Sequence, residues 1–197
     1  MKNKLFALLA GVALSTVAAP SQAEIKNISN LPKVDTRTKA FDMPLSQPMI
    51  IVDNFLGEGK LIVADASIDA NFLGIAKKGL ISIWSVKGVS FAYCFKDYPS
   101  ENCTNLNGRE AFVKVDGKVF MLEIDKVGQE KPYRISPELR EAILKTSQPV
   151  WVRVGTISDK EIDYRTIKTL QEIGDYVRSN PCAEENALCS AQGFQKK

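Results

Sequence analysis

The sequence predicts an α+β domain, an antiparallel meander of about five to seven strands with two or three helices on one face. Three observations carry that expectation. Two tight hairpin signals follow one another, at Lys87-Gly88 and at Asp116-Gly117. Beyond Ile124 the apolar spacing changes from two residues to three or four, the change from strand to helix. The chain has 197 residues, 45% of them hydrophobic, which suffices for one sizeable core.

The chain opens with Lys2 and Lys4, an uncharged apolar run from Leu5 to Ala18, and then Ser21-Gln22-Ala23. This is the pattern of a secretory signal peptide over residues 1–23, too short and wrongly flanked for a spanning helix. Its style points to a bacterium. The mature chain is expected to start at Glu24, and no later stretch approaches the roughly 20 apolar residues that a span needs. Residues 24–48 are polar and interrupted by Pro32, Pro44 and Pro48, an extended arm. It leads into a single domain over 49–179, and 180–197 forms a cysteine-bearing tail.

Met49 to Val52 and Leu61 to Ala66 read as short strands separated by Gly57-Glu58-Gly59. Ile68, Phe72, Ile75 and Ala76 fall at helical spacing between Ser67, a possible cap, and Gly79. A helix over Ile68 to Lys78 is therefore expected. In the first hairpin a Lys87-Gly88 turn sets Trp84 opposite Phe91 and Ile83 opposite Ala92. In the second, the Asp116-Gly117 turn sets Val115 opposite Lys118, Val113 opposite Phe120 and Ala111 opposite Leu122. Alternation gives one face Val113, Val115, Phe120, Leu122 and Ile124. The other face, only partly covered, carries Phe112, Val119 and Met121 with Lys114 and Glu123.

Ser136-Pro137 is a cap followed by proline at the first helical position, and Leu139, Ala142 and Ile143 supply an apolar stripe. Pro149 stops that helix, and Val150 to Val154 is a strand. Ile167, Leu170, Ile173 and Val177 mark a second helix somewhere between Ser158 and Arg178, with Ser158 and Glu161 at capping-box spacing. Ile162 to Ile167 is either its start or a short strand before it.

Composition restricts the chemistry. The chain has no histidine, which removes the commonest general base, the commonest zinc ligand and histidine-dependent nucleophiles. Lys2 and Lys4 leave with the leader, so 24 basic residues face 23 acidic ones. That balance offers no electrostatic footprint for nucleic acid or an anionic membrane. Four cysteines in an exported chain imply two disulfides. Of the three pairings, the local one is favoured, Cys94 with Cys103 and Cys182 with Cys189. Each short loop contributes about 2.5 kcal/mol in the chain-entropy model. A continuous helix from Cys182 to Cys189 would hold the Cα atoms about 10.5 Å apart and exclude that bond.

Other motifs fall short of their templates. Asp65, Ser67, Asp69 and Asn71 have the spacing of a calcium loop, but Ala70 and Ala76 stand where glycine and glutamate are required. Gly57-Glu58-Gly59-Lys60 lacks the spacing and the Ser or Thr of a phosphate loop. Asp97 with Glu101, or Glu184 with Glu185, are the carboxylate pairs available to a histidine-free hydrolase. Trp84, Phe91, Tyr93, Phe95 and Trp151 are core aromatics by default, with a platform for sugars or peptides as the alternative, and Tyr98, between Asp97 and Pro99, is the exception. The candidate contact loop is Lys96, Asp97 and Tyr98, inside the first cysteine-closed loop. The expected function is an exported, non-enzymatic binding module without a cofactor, facing an extracytoplasmic protein or glycan. The alternatives are a secreted hydrolase using two carboxylates and an inhibitor-like protein presenting the Cys94–Cys103 loop.

Overall fold

The computed structural model describes residues 25, 27–39, 42–69, 77–96, 101–125 and 132–189. In chain order they form β1 (Lys33–Asp35), β2 (Pro48–Asp53), β3 (Glu58–Asp69), β4 (Lys77–Trp84), β5 (Gly88–Lys96) and β6 (Glu101–Asn105). Then come β7 (Ala111–Val115), β8 (Lys118–Met121), β9 (Glu123–Ile124), β10 (Tyr133–Arg134), α1 (Pro137–Lys145), β11 (Trp151–Val154), β12 (Ile157–Glu161) and α2 (Tyr164–Ser179). The architecture is α+β, with more sheet than the sequence predicts.

A meander exists, but only from β2 to β6, where each strand pairs antiparallel with the next. Parallel β1 extends it on one side, and β10 followed by β9 on the other, giving eight strands. The second hairpin leaves this sheet. β7 and β8 join β11 and β12 in a separate four-stranded sheet of order β12-β11-β7-β8. The corner between the sheets lies at Leu106–Arg109. There Gly108 has φ +86° and the Tyr133 hydroxyl reaches the carbonyls of Leu106 (2.9 Å) and Arg109 (2.7 Å).

The Asp116-Gly117 turn forms as expected. Both residues have positive φ, 48° and 79°, and Val115 pairs Lys118 while Val113 pairs Phe120. The first hairpin is displaced. Its turn is Val86-Lys87, closed by the Ser85 N–H on the Gly88 carbonyl at 2.8 Å, so Trp84 pairs Val89 and Ile83 pairs Ser90. The slip is two residues, an even number, so every side chain keeps its face. Trp84 and Phe91 still meet edge to face with ring centroids 5.9 Å apart. The glycine has another use: at Gly88 a Cβ would lie 2.8 Å from the Tyr133 carbonyl oxygen. The Ser85 hydroxyl accepts from the Gly88 N–H at 3.0 Å and so holds the earlier turn.

The helix expected over Ile68 to Lys78 does not form at its ends. Ile68 and Asp69 complete β3, Lys77 and Lys78 begin β4, and Ser67 pairs Leu80 instead of capping. A long ladder satisfies these backbone groups without a new helix nucleus. Residues 70–76 lie outside the described part. Ser158 and Glu161 likewise belong to β12, paired with β11, and the cap of α2 is Asp163, whose carboxylate accepts from the Arg165 N–H at 2.8 Å. Ile162 therefore precedes the helix. Ser136 caps α1 as expected, accepting from the Leu139 N–H at 3.2 Å.

One apolar cluster joins both sheets and both helices. Leu80, Trp84, Phe91 and Tyr133 meet Val113, Val152, Ile143, Leu170 and Ile173 there. Both disulfides have the local pairing, with Cα separations of 4.0 Å for Cys94–Cys103 and 6.3 Å for Cys182–Cys189. Cys182 of the second lies in a 3-10 turn, Pro181–Glu184, and the tail docks on β3 through the Ala187 N–H to the Gly59 carbonyl at 2.6 Å. Among the described residues no helix is long and apolar enough to cross a membrane.

Two glycine substitutions separate the two turns. Gly88→Ala forces a methyl onto backbone that cannot yield, and should destabilise by about 2 kcal/mol in urea unfolding. Gly117→Ala meets nothing within 4 Å and carries only the left-handed backbone cost of about 1 kcal/mol. Equal losses would refute the assignment of Gly88 to close strand packing.

Candidate binding face

The four-stranded sheet buries one face and exposes the other. Inward go Ala111, Val113, Val115, Val152 and Val154, all buried. Alternation turns Phe112 and Lys114 of β7, Val119 and Met121 of β8, Trp151 and Arg153 of β11, and Asp159 of β12 outward. The register sets these in rows. Met121, Phe112 and Arg153 lie abreast, and Val119, Lys114 and Trp151 lie abreast beside them. Val119 is 59% exposed, Met121 64% and Trp151 38%. A shallow groove of about 530 Å³ follows this face, lined by Phe112, Lys114, Val119, Trp151, Arg153 and Asp159.

One charged pair sits in the groove. Arg153 donates to Asp159 through Nε at 2.6 Å and Nη2 at 3.0 Å, a fork that fixes both side chains. The Arg153 hydrogen bonds hold the Asp159 carboxyl below its ordinary range, against a smaller cost of partial desolvation, and its neighbour Lys114 adds to the lowering. Being exposed, the pair adds little to stability, but it presents donors and an acceptor beside an aromatic ring. The outer face thus interleaves the two kinds of side chain, with Lys114 between Val119 and Trp151 and Phe112 between Met121 and Arg153.

The residues singled out from sequence are placed elsewhere. Lys96 ends β5, while Asp97 and Tyr98 lie outside the described residues, so the proposed contact loop has only its base, the Cys94–Cys103 hairpin, in view. Trp84, Phe91 and the unforeseen Tyr133 are core residues, with Phe91 and Tyr133 centroids 5.6 Å apart. Glu184 and Glu185 do not converge on each other: Glu184 accepts from Arg140 at 2.7 Å and Glu185 pairs with Lys87. Among the described residues no three Cys, Asp or Glu side chains gather as metal ligands. Gly57 has φ +67° and ends a turn, and Gly59 lies in β3 against Ile50 and Leu188, so neither cradles a phosphate.

Among the described residues Asp65 is the one buried charged side chain. It is 2% exposed, and its carboxylate accepts from the Asp163 N–H at 3.1 Å, the Thr166 hydroxyl at 2.9 Å and the Ser67 hydroxyl at 3.3 Å. The Ser46 and Thr166 hydroxyls lie 2.9 Å apart, extending the network to the segment before β2. Desolvation raises the Asp65 carboxyl, and these hydrogen bonds only partly offset it. Buried and with both oxygens accepting hydrogen bonds, it anchors the start of α2.

The outer face was half visible beforehand. The hairpin alternation marks Phe112, Val119 and Met121 as poorly covered. Nothing local says that β11, beyond a helix, would lie beside β7 and add Trp151 and Arg153. No protein family, curated protein or solved structure matches this chain.

Since the folded state holds the Asp65 proton to higher pH than the unfolded chain does, the contribution of this one group to stability falls as pH rises from the unfolded carboxyl range through the folded value. Asn at this position keeps an acceptor without that titration. The stability difference between Asp65→Asn and the parent should therefore shift in favour of the variant as pH rises, then level off. Urea unfolding across the acidic range measures this, and a difference independent of pH would contradict it. Asp65→Ala should cost about 1–3 kcal/mol by leaving the Asp163 N–H unpartnered and taking one of two partners from the Thr166 hydroxyl.

Proposed function

We propose that the protein is an exported, non-enzymatic binding module, and that the outer face of the four-stranded sheet is its contact surface for a glycan. The carrying observation is the groove in which the half-exposed Trp151 and Phe112 stand beside Lys114 and the Arg153–Asp159 pair. An aromatic face takes the C–H side of a sugar ring, while fixed ionic donors and acceptors take its hydroxyls. Export is supported by the leader pattern and by two disulfides, which persist in oxidising compartments. A non-enzymatic role is supported by the absence of histidine and by the ion-paired state of Glu184 and Glu185. The exposed Val119 and Met121 favour a protein surface as the second reading.

The two tryptophans provide the readout, because Trp84 is fully buried and Trp151 is not. Titrating the protein with chitohexaose, cellohexaose and solubilised peptidoglycan fragments should give a saturable change in emission for one of them, with the sugar recovered intact. Trp151→Ala should abolish the change and weaken binding about tenfold or more, equivalent to about 1.4 kcal/mol, with stability nearly unaltered. Cleaved oligosaccharide would overturn the non-enzymatic reading. Binding unaffected by Trp151→Ala would move the site elsewhere.

A further inference from the structure

β8 is one edge of the four-stranded sheet, and β12 is the other. Among the described residues β8 pairs with β7 alone. Antiparallel pairing directs the N–H and C=O of alternate residues to opposite sides. Lys118 follows the two-residue turn and pairs Val115, and the Leu122 N–H reaches the Ala111 carbonyl at 2.8 Å. Lys118, Phe120 and Leu122 therefore point their backbone groups toward β7. Val119 and Met121 present theirs to the open side. This edge lacks proline and bulges, and its outward side chains are apolar and more than half exposed, the features natural edges usually avoid.

We propose that this edge pairs with the same edge of a second copy, forming a two-fold symmetric dimer with Phe120 on the axis. The register follows from parity. Directly opposed residues must share a face, so an axis between Val119 and Phe120, which would oppose an outward to an inward side chain, is excluded. An axis at Val119 would set Met121 against the partner's Gly117, in the turn. An axis at Phe120 sets Val119 against the partner's Met121 at both ends and Phe120 against the partner's Phe120. All four open backbone groups of each copy are then used, and along Val119 to Met121 apolar side chains meet only apolar ones. The two Lys118 side chains lie at opposite ends of the ladder, so no like charges are opposed. The result is one eight-stranded sheet carrying two copies of the groove side by side. The pairing stands whether or not the groove holds a glycan.

A ladder this short predicts a reversible dimer, best measured by sedimentation equilibrium over a wide concentration range. The protein is expected to sediment as a monomer–dimer system. Val119→Pro removes an edge-facing donor that β7 does not use, and should weaken association about tenfold or more while circular dichroism stays unchanged. Val119→Lys should do the same by charge. A mixture of Val119→Cys and Met121→Cys proteins should form an intermolecular disulfide in air faster than either protein alone, since only unlike positions are opposed. A protein that remains monomeric to about 1 mM, a dimer indifferent to Val119→Lys, or equal cross-linking of like positions would overturn the proposal.

Discussion

The inward face of the four-stranded sheet is the constraint on which the rest depends. Val113, Val115, Val152 and Val154 are fully buried against Leu139, Ile143, Leu170 and the aromatic cluster of the larger sheet. Each strand has only two faces, so committing these residues to the core leaves Phe112, Lys114, Trp151 and Arg153 no place but outside. The groove is a geometric consequence of the core. The same logic applies to the edge: among the described residues β8 pairs with β7 alone, because Glu123 and Ile124 leave for the other sheet, where they pair with β10.

Polar groups inside the molecule hold its parts in register. Asp65 ties β3 to the first turn of α2, and the Tyr133 hydroxyl ties β10 to the corner between the sheets. Neither contributes as much as the apolar burial around it. Both make a displaced helix or a displaced corner costly, because a buried donor or acceptor would lose its partner. Asp65 does so at some expense, since its charged form is desolvated, and that is why its titration couples to folding.

Local chemistry made several elements readable. Asp116-Gly117 met the backbone requirement of its turn, Ser136-Pro137 opened α1, and the cysteine spacing was short enough to set the local pairing. Misreadings arose where one residue type serves two purposes. Gly88 resembled a turn glycine and is in fact a gap for a neighbouring backbone. Ser67 and Ser158 resembled helix caps and lie in strands, because ladder partners distant in sequence, Leu80 for one and β11 for the other, took up their surroundings. The aromatic residues divided in the same way: Trp84 and Phe91 went to the core, and Trp151 to the surface.

What the sequence by itself determined are features set within a few residues: the lack of any histidine, the turn at Asp116-Gly117, the start of α1, and which side chains of β7 and β8 share a face. Tertiary structure alone decided that the second hairpin leaves the meander, that β11 returns beside β7, and that Trp151 thereby faces Lys114 across the strands. The physical reason is range. A turn or a cap is settled by backbone sterics and one or two hydrogen bonds nearby, whereas the choice of strand neighbour is settled by the burial of a shared core assembled from the whole chain.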